Sequence, residues 1–275
     1  MRWPLSCGCL RVVSQLMLTG LAAASRHTHV TIVGEAWHIN GSPTLSNVSW
    51  HGVSMAGLLP NARMVNALFD DENAGTRHLW NYPNNVAFDP ERHTDEFVQS
   101  LTEYQAHGLH AVTVSLMGGS VCGNDPIVDK SHPQCSESAQ ARITSAFDEQ
   151  GGPKEAYFDR LNRVLKRTDE LGMVVFLQIF YPRQAKRLAN DDAVLAAADA
   201  TVDWLIERAF RNVVLDVCNE CDWGMNSQVC GHLPSLLWPA HGSLLNRIRT
   251  RSERGGSKLI VSSSFMGGTV PQPDK

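Results

Sequence analysis

The sequence has no large excess of charge, no long apolar run after its first 25 residues and no glycine-rich phosphate loop after any apolar segment. Its formal net charge is −4 at pH 7, so charge gives no reason to expect nucleic acid or an anionic membrane as a partner. No later segment approaches the roughly 18 to 20 apolar residues that span a bilayer. The 275 residues are enough for one large domain with a sizeable core.

The first 25 residues are typical of a targeting segment. Arg2 and Arg11 precede the apolar residues 16–24, which end in small side chains, as in a secretory signal peptide cleaved near Ala24. Arginines without any acid before Glu35 also suit an organelle transit peptide. A wrongly assigned start codon is the third alternative. Secretion is the first expectation, and cleavage would leave no membrane segment.

Five cysteines follow this segment, and four of them bracket polar loops. Cys122 and Cys135 flank one loop, and Cys221 and Cys230 flank another, so both pairs are disulfide candidates in an oxidising compartment. Cys218 is then the odd one, buried in a strand as a small hydrophobic residue. Strand alternation points the sulfurs of Cys218 and Cys221 apart, which argues against a zinc or redox site. We therefore expect no metal.

Two Asn-x-Ser sequons lie near the start of the mature chain, at Asn40 and at Asn47. Either asparagine could carry a glycan if the chain is secreted. The dipeptide Asn40-Gly41 also favours a tight hairpin turn. We expect the turn to be the main role of that dipeptide.

Residues 26–52 predict a β-meander, with strands at 30–33, 37–39 and 44–50 around the Asn40-Gly41 turn. Residues 53–275 then alternate apolar strands with amphipathic helices. The predicted strands are 63–69, 110–117, 173–181, 213–219 and 259–263, and the helices begin near Thr94, Pro153, Asp191 and Leu236.

Repeated strand–helix units of this length predict a parallel sheet, either doubly wound or closed as a barrel. The missing phosphate loop argues against a nucleotide-binding doubly wound fold, and we expect no cofactor. The predicted fold class is therefore α/β of the (β/α)8 TIM-barrel type. It is incomplete, with about five of the eight barrel strands present.

Functional residues of such a barrel lie at the carboxyl ends of its strands. The fourth predicted strand ends in Asn219-Glu220, and alternation puts Asp216 and Glu220 on one face. An acid among apolar side chains has a raised pKa because burial disfavours its charged form. A carboxylic acid that stays protonated near neutrality is what a glycosidase needs to protonate a leaving oxygen.

Residues 213–221, Val-Val-Leu-Asp-Val-Cys-Asn-Glu-Cys, resemble the fourth strand of clan A glycoside hydrolases, the cellulase-like retaining enzymes. Residues 39–44 resemble the hairpin that precedes the barrel in many of them, and residues 57–72 are similar to a cellulase-like branch of the clan. The resemblance extends over about residues 38–270. It implies hydrolysis of O-glycosidic bonds in a β-linked oligo- or polysaccharide. Glu220 would be the general acid/base, and Asn219 would hydrogen-bond the sugar 2-hydroxyl.

Several other residues follow the predicted strands. The aromatic side chains Trp80, Tyr82, Tyr181 and Trp223 either stack on sugar faces or pack within their loops. Asp70, Asp71 and Glu72 either shape a subsite or form a charged loop. Asp216 is first expected to be a structural acid paired with Arg63, and the alternative is a second catalytic acid. The substrate-binding candidates are Trp80, Tyr181, Trp223 and Asp71. Glu220 itself has the alternative of a solvated charge at a strand end.

The resemblance also implies a second carboxylate, the nucleophile, which lies roughly 5 to 5.5 Å from the acid/base in retaining enzymes and follows the seventh strand. Only five barrel strands are recognisable, so we expect a C-terminally truncated hydrolase that lacks this group. The alternatives are a non-catalytic secreted carbohydrate-binding protein or degenerate fragment, and completion of the barrel by oligomerisation. The sequence does not predict the oligomeric state.

Overall fold

The computed structural model describes residues 27–119, 133–135, 138–220, 232–237 and 240–265. Residues 30–43 form a three-stranded antiparallel sheet of β1 (Val30–Val33), β2 (Ala36–Ile39) and β3 (Ser42–Pro43). A separate hairpin of β4 (Ser49–Trp50) and β5 (Val53–Ser54) follows it. Asn40 and Gly41 have φ angles of 53° and 81°, as a type I′ turn requires, so the predicted turn is confirmed. The single strand predicted over 44–50 is wrong, because a turn at residues 44–47 divides it.

The rest of the described chain alternates strands and helices around a five-stranded parallel sheet. Its elements are β6 (Asn61–Arg63), α1 (Pro90–Ala106), β7 (Ala111–Ser115), α2 (Glu155–Glu170), β8 (Val174–Phe180), α3 (Pro182–Ala185), α4 (Asp191–Glu207), β9 (Val213–Cys218), α5 (His241–Arg254) and β10 (Ile260–Ser262).

The strand order in this sheet is β10-β9-β8-β7-β6, so each strand lies beside its neighbour in the sequence. A doubly wound sheet reverses direction at a switch point, whereas a (β/α) barrel keeps the sequential order. The predicted α/β fold of the incomplete barrel type is therefore confirmed. The described strands form an open sheet.

The two faces of the sheet have different cores. The helix-bearing face contains the larger cluster, to which α2 contributes Leu161, Val164 and Leu165, all fully buried. The inner face has a smaller cluster of Val30, Ala111, Val174 and Val214, with Trp37 and Phe176 packed against it. Because Ala111, Val174 and Val214 lie at or near the starts of their strands, the N-terminal sheet covers the amino end of the inner face. The carboxyl end is left for the polar residues described below.

Helix α1 begins at Pro90 rather than near Thr94, because the Asp89 carboxylate caps it by accepting from the Glu91 and Arg92 N–H groups.

Three other predicted boundaries are wrong for local physical reasons. The first barrel strand is Asn61–Arg63 rather than 63–69, because the apolar residues after it are buried in turns. Helix α2 begins at Glu155, since Pro153 forms an isolated β-bridge with Phe147. Helix α5 begins at His241 rather than Leu236, which lies in a preceding short 3-10 helix.

Two cysteines among the described residues, Cys135 and Cys218, are disulfide-bonded. The prediction that Cys218 stays unpaired is therefore wrong, although it is buried at the end of β9 as expected. A strand position does not prevent pairing, because a following loop can return to the strand. The other disulfide candidates, Cys122, Cys221 and Cys230, lie outside the described residues.

Candidate active site

A row of polar residues crosses the inner face of the sheet near its carboxyl end. Strand register aligns Ser115 of β7 with Gln178 of β8, Gln178 with Asp216 of β9, and Asp216 with Ser262 of β10. The level two residues earlier contains Thr113, Phe176, Val214 and Ile260, of which only Thr113 is polar. Since side chains alternate between faces with a period of two, both levels share the inner face. The inner face therefore becomes more polar along the strands.

Asp216 lies at the centre of this row and is only 5% exposed. Its Oδ2 accepts hydrogen bonds from Gln178 Nε2 at 2.7 Å and from the Ser264 hydroxyl, while its buried Oδ1 has no partner among the described residues. Burial raises the pKa of Asp216, and hydrogen bonds from Ser264 and Gln178 and the charge of Arg63 offset only part of the effect. The raised pKa predicted for a buried acid is thus confirmed.

Asn219 is the next residue along the same network and is 3% exposed. Its side-chain oxygen accepts a hydrogen bond from Arg63 Nη2 at 2.8 Å and lies 3.4 Å from Gln178 Nε2. The predicted pairing of Arg63 with Asp216 is therefore wrong, because Arg63 bonds to Asn219 and reaches Asp216 only through its charge. With the oxygen occupied, the Asn219 amide nitrogen is the group that can donate to a ligand. It makes no hydrogen bond within the part of the chain that the structure describes.

Glu220 directly follows Asn219 and is half-buried. Its φ of 51° lies in the left-handed region, where a residue with a side chain is strained. Among the residues with described positions, nothing pairs with its carboxylate. Glu220 therefore lies just after the carboxyl end of β9, next to an oriented amide.

Two of the predicted substrate-binding residues are buried together after β6. Asp71 is fully buried, and its oxygens accept hydrogen bonds from the Trp80 indole at 2.6 Å, the Thr76 hydroxyl at 2.6 Å and two backbone N–H groups. Trp80 packs edge-on against Phe69 at 5.0 Å. Neither Asp71 nor Trp80 presents its side chain to a ligand in this structure. Together they anchor the loop.

The remaining candidates after the strands are also occupied or lie elsewhere. Tyr181 is buried in the larger core cluster, and Trp223 lies outside the described residues. Asp70 forms an ion pair with Arg77 at 3.0 Å, and Glu72 forms one with Lys154 at 2.6 Å. The acids at 70–72 are therefore a structured charged loop.

Sequence reasoning did not assign roles to Gln178 and Ser264, which hold Asp216 and help to place Asn219. One signal was present for Gln178, because it is the single polar residue in the otherwise apolar segment 174–180. A buried polar side chain in such a strand needs a hydrogen-bond partner. Its identity depends on the register between strands, which one sequence does not supply.

Replacing Asp216 by alanine is expected to lower the free energy of unfolding by roughly 2 to 4 kcal/mol, because the Gln178 amide and the Ser264 hydroxyl each lose an acceptor. Asp216→Asn keeps an acceptor and should cost less.

Because folding raises the pKa of Asp216, the folded state favours the protonated acid. The stability gained from the protonated Asp216 is complete below the ordinary pKa of 3.8 and is lost as pH rises through the raised pKa of the folded state. Urea unfolding from pH 4 to 7 should show the wild type losing stability relative to Asp216→Asn. Parallel profiles would contradict the assignment.

Within the described ranges, no group of three or more histidine, cysteine, aspartate or glutamate side chains could hold a metal ion. None of the described helices is both long and apolar enough to cross a membrane.

No family model matches the chain, and no curated protein matches it. Similar solved structures include the β-mannanase from the blue mussel Mytilus edulis, which is 13% identical with a TM-score of 0.45 over 86% of this chain and 63% of its own. The β-1,4-D-mannanase from Cryptopygus antarcticus is 11% identical with a TM-score of 0.48 over 88% of this chain and 61% of its own. An endocellulase from Pyrococcus horikoshii is 11% identical with a TM-score of 0.43, and the match covers 86% of this chain and 56% of that structure. The chain spans less than two thirds of each of these structures. All three are glycoside hydrolases, the class of enzyme that residues 213–221 resemble.

Proposed function

We propose that this chain supplies the general acid/base and a sugar-orienting amide of a retaining glycosidase site. The proposed substrate is a β-linked oligo- or polysaccharide, cleaved at an O-glycosidic bond. One observation carries the proposal: Asn219-Glu220 follows the end of β9, the Asn219 oxygen accepts from Arg63 at 2.8 Å, and no residue that the structure describes pairs with the Glu220 carboxylate. A carboxyl group beside a fixed amide donor is suited to a glycosidic oxygen and the neighbouring hydroxyl.

In the proposed mechanism Glu220 protonates the leaving oxygen and later removes a proton from the attacking water. The Asn219 amide nitrogen donates to the sugar 2-hydroxyl, because its oxygen is held by Arg63. Retention requires a second carboxylate as nucleophile. Asp216 is buried and accepts hydrogen bonds from Gln178 and Ser264, Asp71 is also buried, and Asp70 and Glu72 are ion-paired. We therefore place the nucleophile outside the described residues.

A second candidate is a secreted protein that binds carbohydrate without cleaving it. The polar row of Ser115, Gln178, Asp216 and Ser262 favours it, because the row places hydroxyl, amide and carboxyl groups along one level of the inner face without any use of Glu220. Within the described part of the chain, the buried oxygens Asp216 Oδ1 and Gln178 Oε1 have no hydrogen-bond partner. Two such acceptors suit a ligand with many donors.

The two candidates differ in what Glu220 does. The protein expressed from its complete coding sequence should be incubated with β-1,4-linked gluco- and manno-oligosaccharides, and release of shorter sugars should be measured by chromatography. Hydrolysis that disappears in Glu220→Gln supports the glycosidase. Binding without turnover, unchanged in Glu220→Gln, supports the binding protein and contradicts the enzyme.

Asn219→Ala is expected to weaken oligosaccharide binding several-fold, up to about tenfold, because one hydrogen bond of about 1 kcal/mol to a sugar hydroxyl is lost. The measurement is isothermal titration calorimetry with a manno- or gluco-oligosaccharide. Asn246→Ala, on the exposed surface of α5, is the matched control and should bind as the wild type does. Equal affinity of Asn219→Ala and wild type would remove Asn219 from the site.

We further propose that the chain is secreted after cleavage near Ala24. The apolar residues 16–24 support this, and so do the disulfides at Cys135 and Cys218, since disulfides persist in oxidising compartments. The test is the appearance of the chain in culture medium with an N-terminus near Ser25. An intact leader on protein inside the cell would contradict it.

A further inference from the structure

The hairpin of β4 and β5 has one apolar face that is largely exposed. Trp50 pairs directly with Val53, so their side chains point the same way, and Val48 joins them because it precedes Trp50 by two residues. Their exposed fractions are 67% for Trp50, 60% for Val53 and 46% for Val48. Three large apolar side chains thus share one uncovered surface.

This surface is unfavourable for an isolated hairpin. A two-stranded hairpin is marginally stable in water unless its apolar face packs against something. Contiguous exposed apolar patches usually mark a site that is covered in the working molecule. The chemistry of the chain beside the patch indicates what covers it.

Asn47 immediately precedes the apolar face and begins the sequon Asn47-Val48-Ser49. It is exposed, follows a turn, and its side chain makes no hydrogen bond among the residues that the structure describes. Asn40 begins the other sequon but is part of a tight turn, with φ of 53° and its side-chain oxygen accepting from the His29 N–H at 2.8 Å. Asn47 is therefore the asparagine whose side chain is free to be substituted.

We propose that Asn47 carries an N-linked glycan whose first sugars lie over Val48, Trp50 and Val53. In the transfer, the Asn47 amide nitrogen forms a bond to the anomeric carbon of the first sugar and loses one proton. The lipid pyrophosphate of the oligosaccharide donor leaves. The apolar faces of sugar rings stack on indole rings, so the glycan both occupies and shields the patch.

The position of this hairpin separates the glycan from the candidate active site. The residues that flank the hairpin are bonded to β2 of the N-terminal sheet. The Trp37 N–H donates to the Gly57 carbonyl at 3.0 Å, and the Thr44 N–H donates to the Trp37 carbonyl at 2.9 Å. That sheet covers the amino ends of the barrel strands, whereas Glu220 follows the carboxyl end of β9. The glycan leaves the site open, and the inference rests on the proposed secretion but not on hydrolysis.

The test is expression of the full chain with its own leader in a secreting eukaryotic cell, followed by peptide mass spectrometry of material treated with a peptide N-glycosidase. We expect deglycosylation to convert Asn47 to aspartate. Asn47→Gln and Ser49→Ala should lose the glycan, and Ser49→Thr should keep it because threonine completes the sequon. Asn40→Gln should leave the glycan at Asn47 in place.

The covering role has a separate readout. Asn47→Gln is expected to bind more of a hydrophobic dye and to self-associate more than the wild type, and adding Trp50→Ser should reverse both changes. Secreted protein with unmodified Asn47 would overturn the glycan. A glycosylated Asn47 whose removal leaves dye binding unchanged would overturn the covering role. Unglycosylated chain confined to the cytosol would overturn secretion and the inference together, and none of these results depends on hydrolytic activity.

Discussion

Glu220→Gln is expected to lower kcat/KM for an oligosaccharide by roughly 10²- to 10⁴-fold, the usual contribution of a general acid or base. The reason lies just after β9, where none of the described residues pairs with the Glu220 carboxyl and Asn219 beside it is fixed by Arg63. Glutamine has the same shape but no proton to give to the leaving oxygen. The measurement is initial rates on the protein from its complete coding sequence, with manno- and gluco-oligosaccharides.

A matched control separates loss of the acid from general damage. Glu207→Gln changes an exposed glutamate at the end of α4 and should leave kcat/KM unchanged. Aryl glycosides with good leaving groups need little protonation, so with Glu220→Gln their cleavage should be impaired less than that of oligosaccharides. An equal loss on both substrate types, or no loss at all, would contradict the acid/base role.

Acidification from pH 6.5 to about 4 is expected to remove about 3 kcal/mol of unfolding free energy through His241 alone. Burial lowers the pKa of His241 from 6.5 to about 4, and the backbone of Ser235 offsets only part of that effect. The unfolded chain therefore takes up the proton before the folded chain does. The contribution is complete above pH 6.5 and is lost as pH falls through the folded pKa.

Denaturant unfolding at half-unit pH steps measures this effect. His241→Gln keeps a side chain that can bond to Ser263, the 2.9 Å partner of the histidine Nε2, but it cannot titrate, so its stability should fall less steeply below pH 6.5. His107→Gln alters an exposed histidine after α1 and should retain the wild-type slope. A wild-type slope in His241→Gln would contradict the assignment.

The strands predicted best from the sequence are β7, β8 and β9, because each is a compact run of side chains buried on both faces. The first barrel strand lies at Asn61–Arg63, earlier than the predicted 63–69, because the apolar residues after Arg63 are buried in turns. Asn66 secures one of these turns by accepting a hydrogen bond from the Gly119 N–H at 2.9 Å. Burial without regular structure has the same apolar pattern as a strand, so composition alone could not separate them.

The candidate site divides in a similar way. The inward direction of Asp216 follows from alternation along β9 and was predictable. That of Asn219 was not, because Asn219 follows the end of β9 and an odd separation from Asp216 would place it on the other face. Contacts between strands were not, because the bond from Arg63 to Asn219 joins residues 156 positions apart. The sequence leaves two roles open for Trp80, stacking on a sugar or packing within its loop. In the structure its indole N–H donates to buried Asp71, which favours packing.

The N-terminal sheet has a consequence for the order in which the molecule forms. The Val30 N–H bonds to the Arg211 carbonyl at 3.1 Å, and the Thr28 N–H bonds to the Asp169 carboxylate at 2.8 Å. At the usual 5 to 20 residues per second, the ribosome needs on the order of 10 to 30 s after making Val30 to reach Arg211. Until β8 is made, late in that interval, Trp37 lacks Phe176, the ring against which it later packs. The N-terminal sheet is thus made early but is among the last parts of the molecule to pack. A chaperone that holds unfolded chains can bind it for longer than it can bind the later elements.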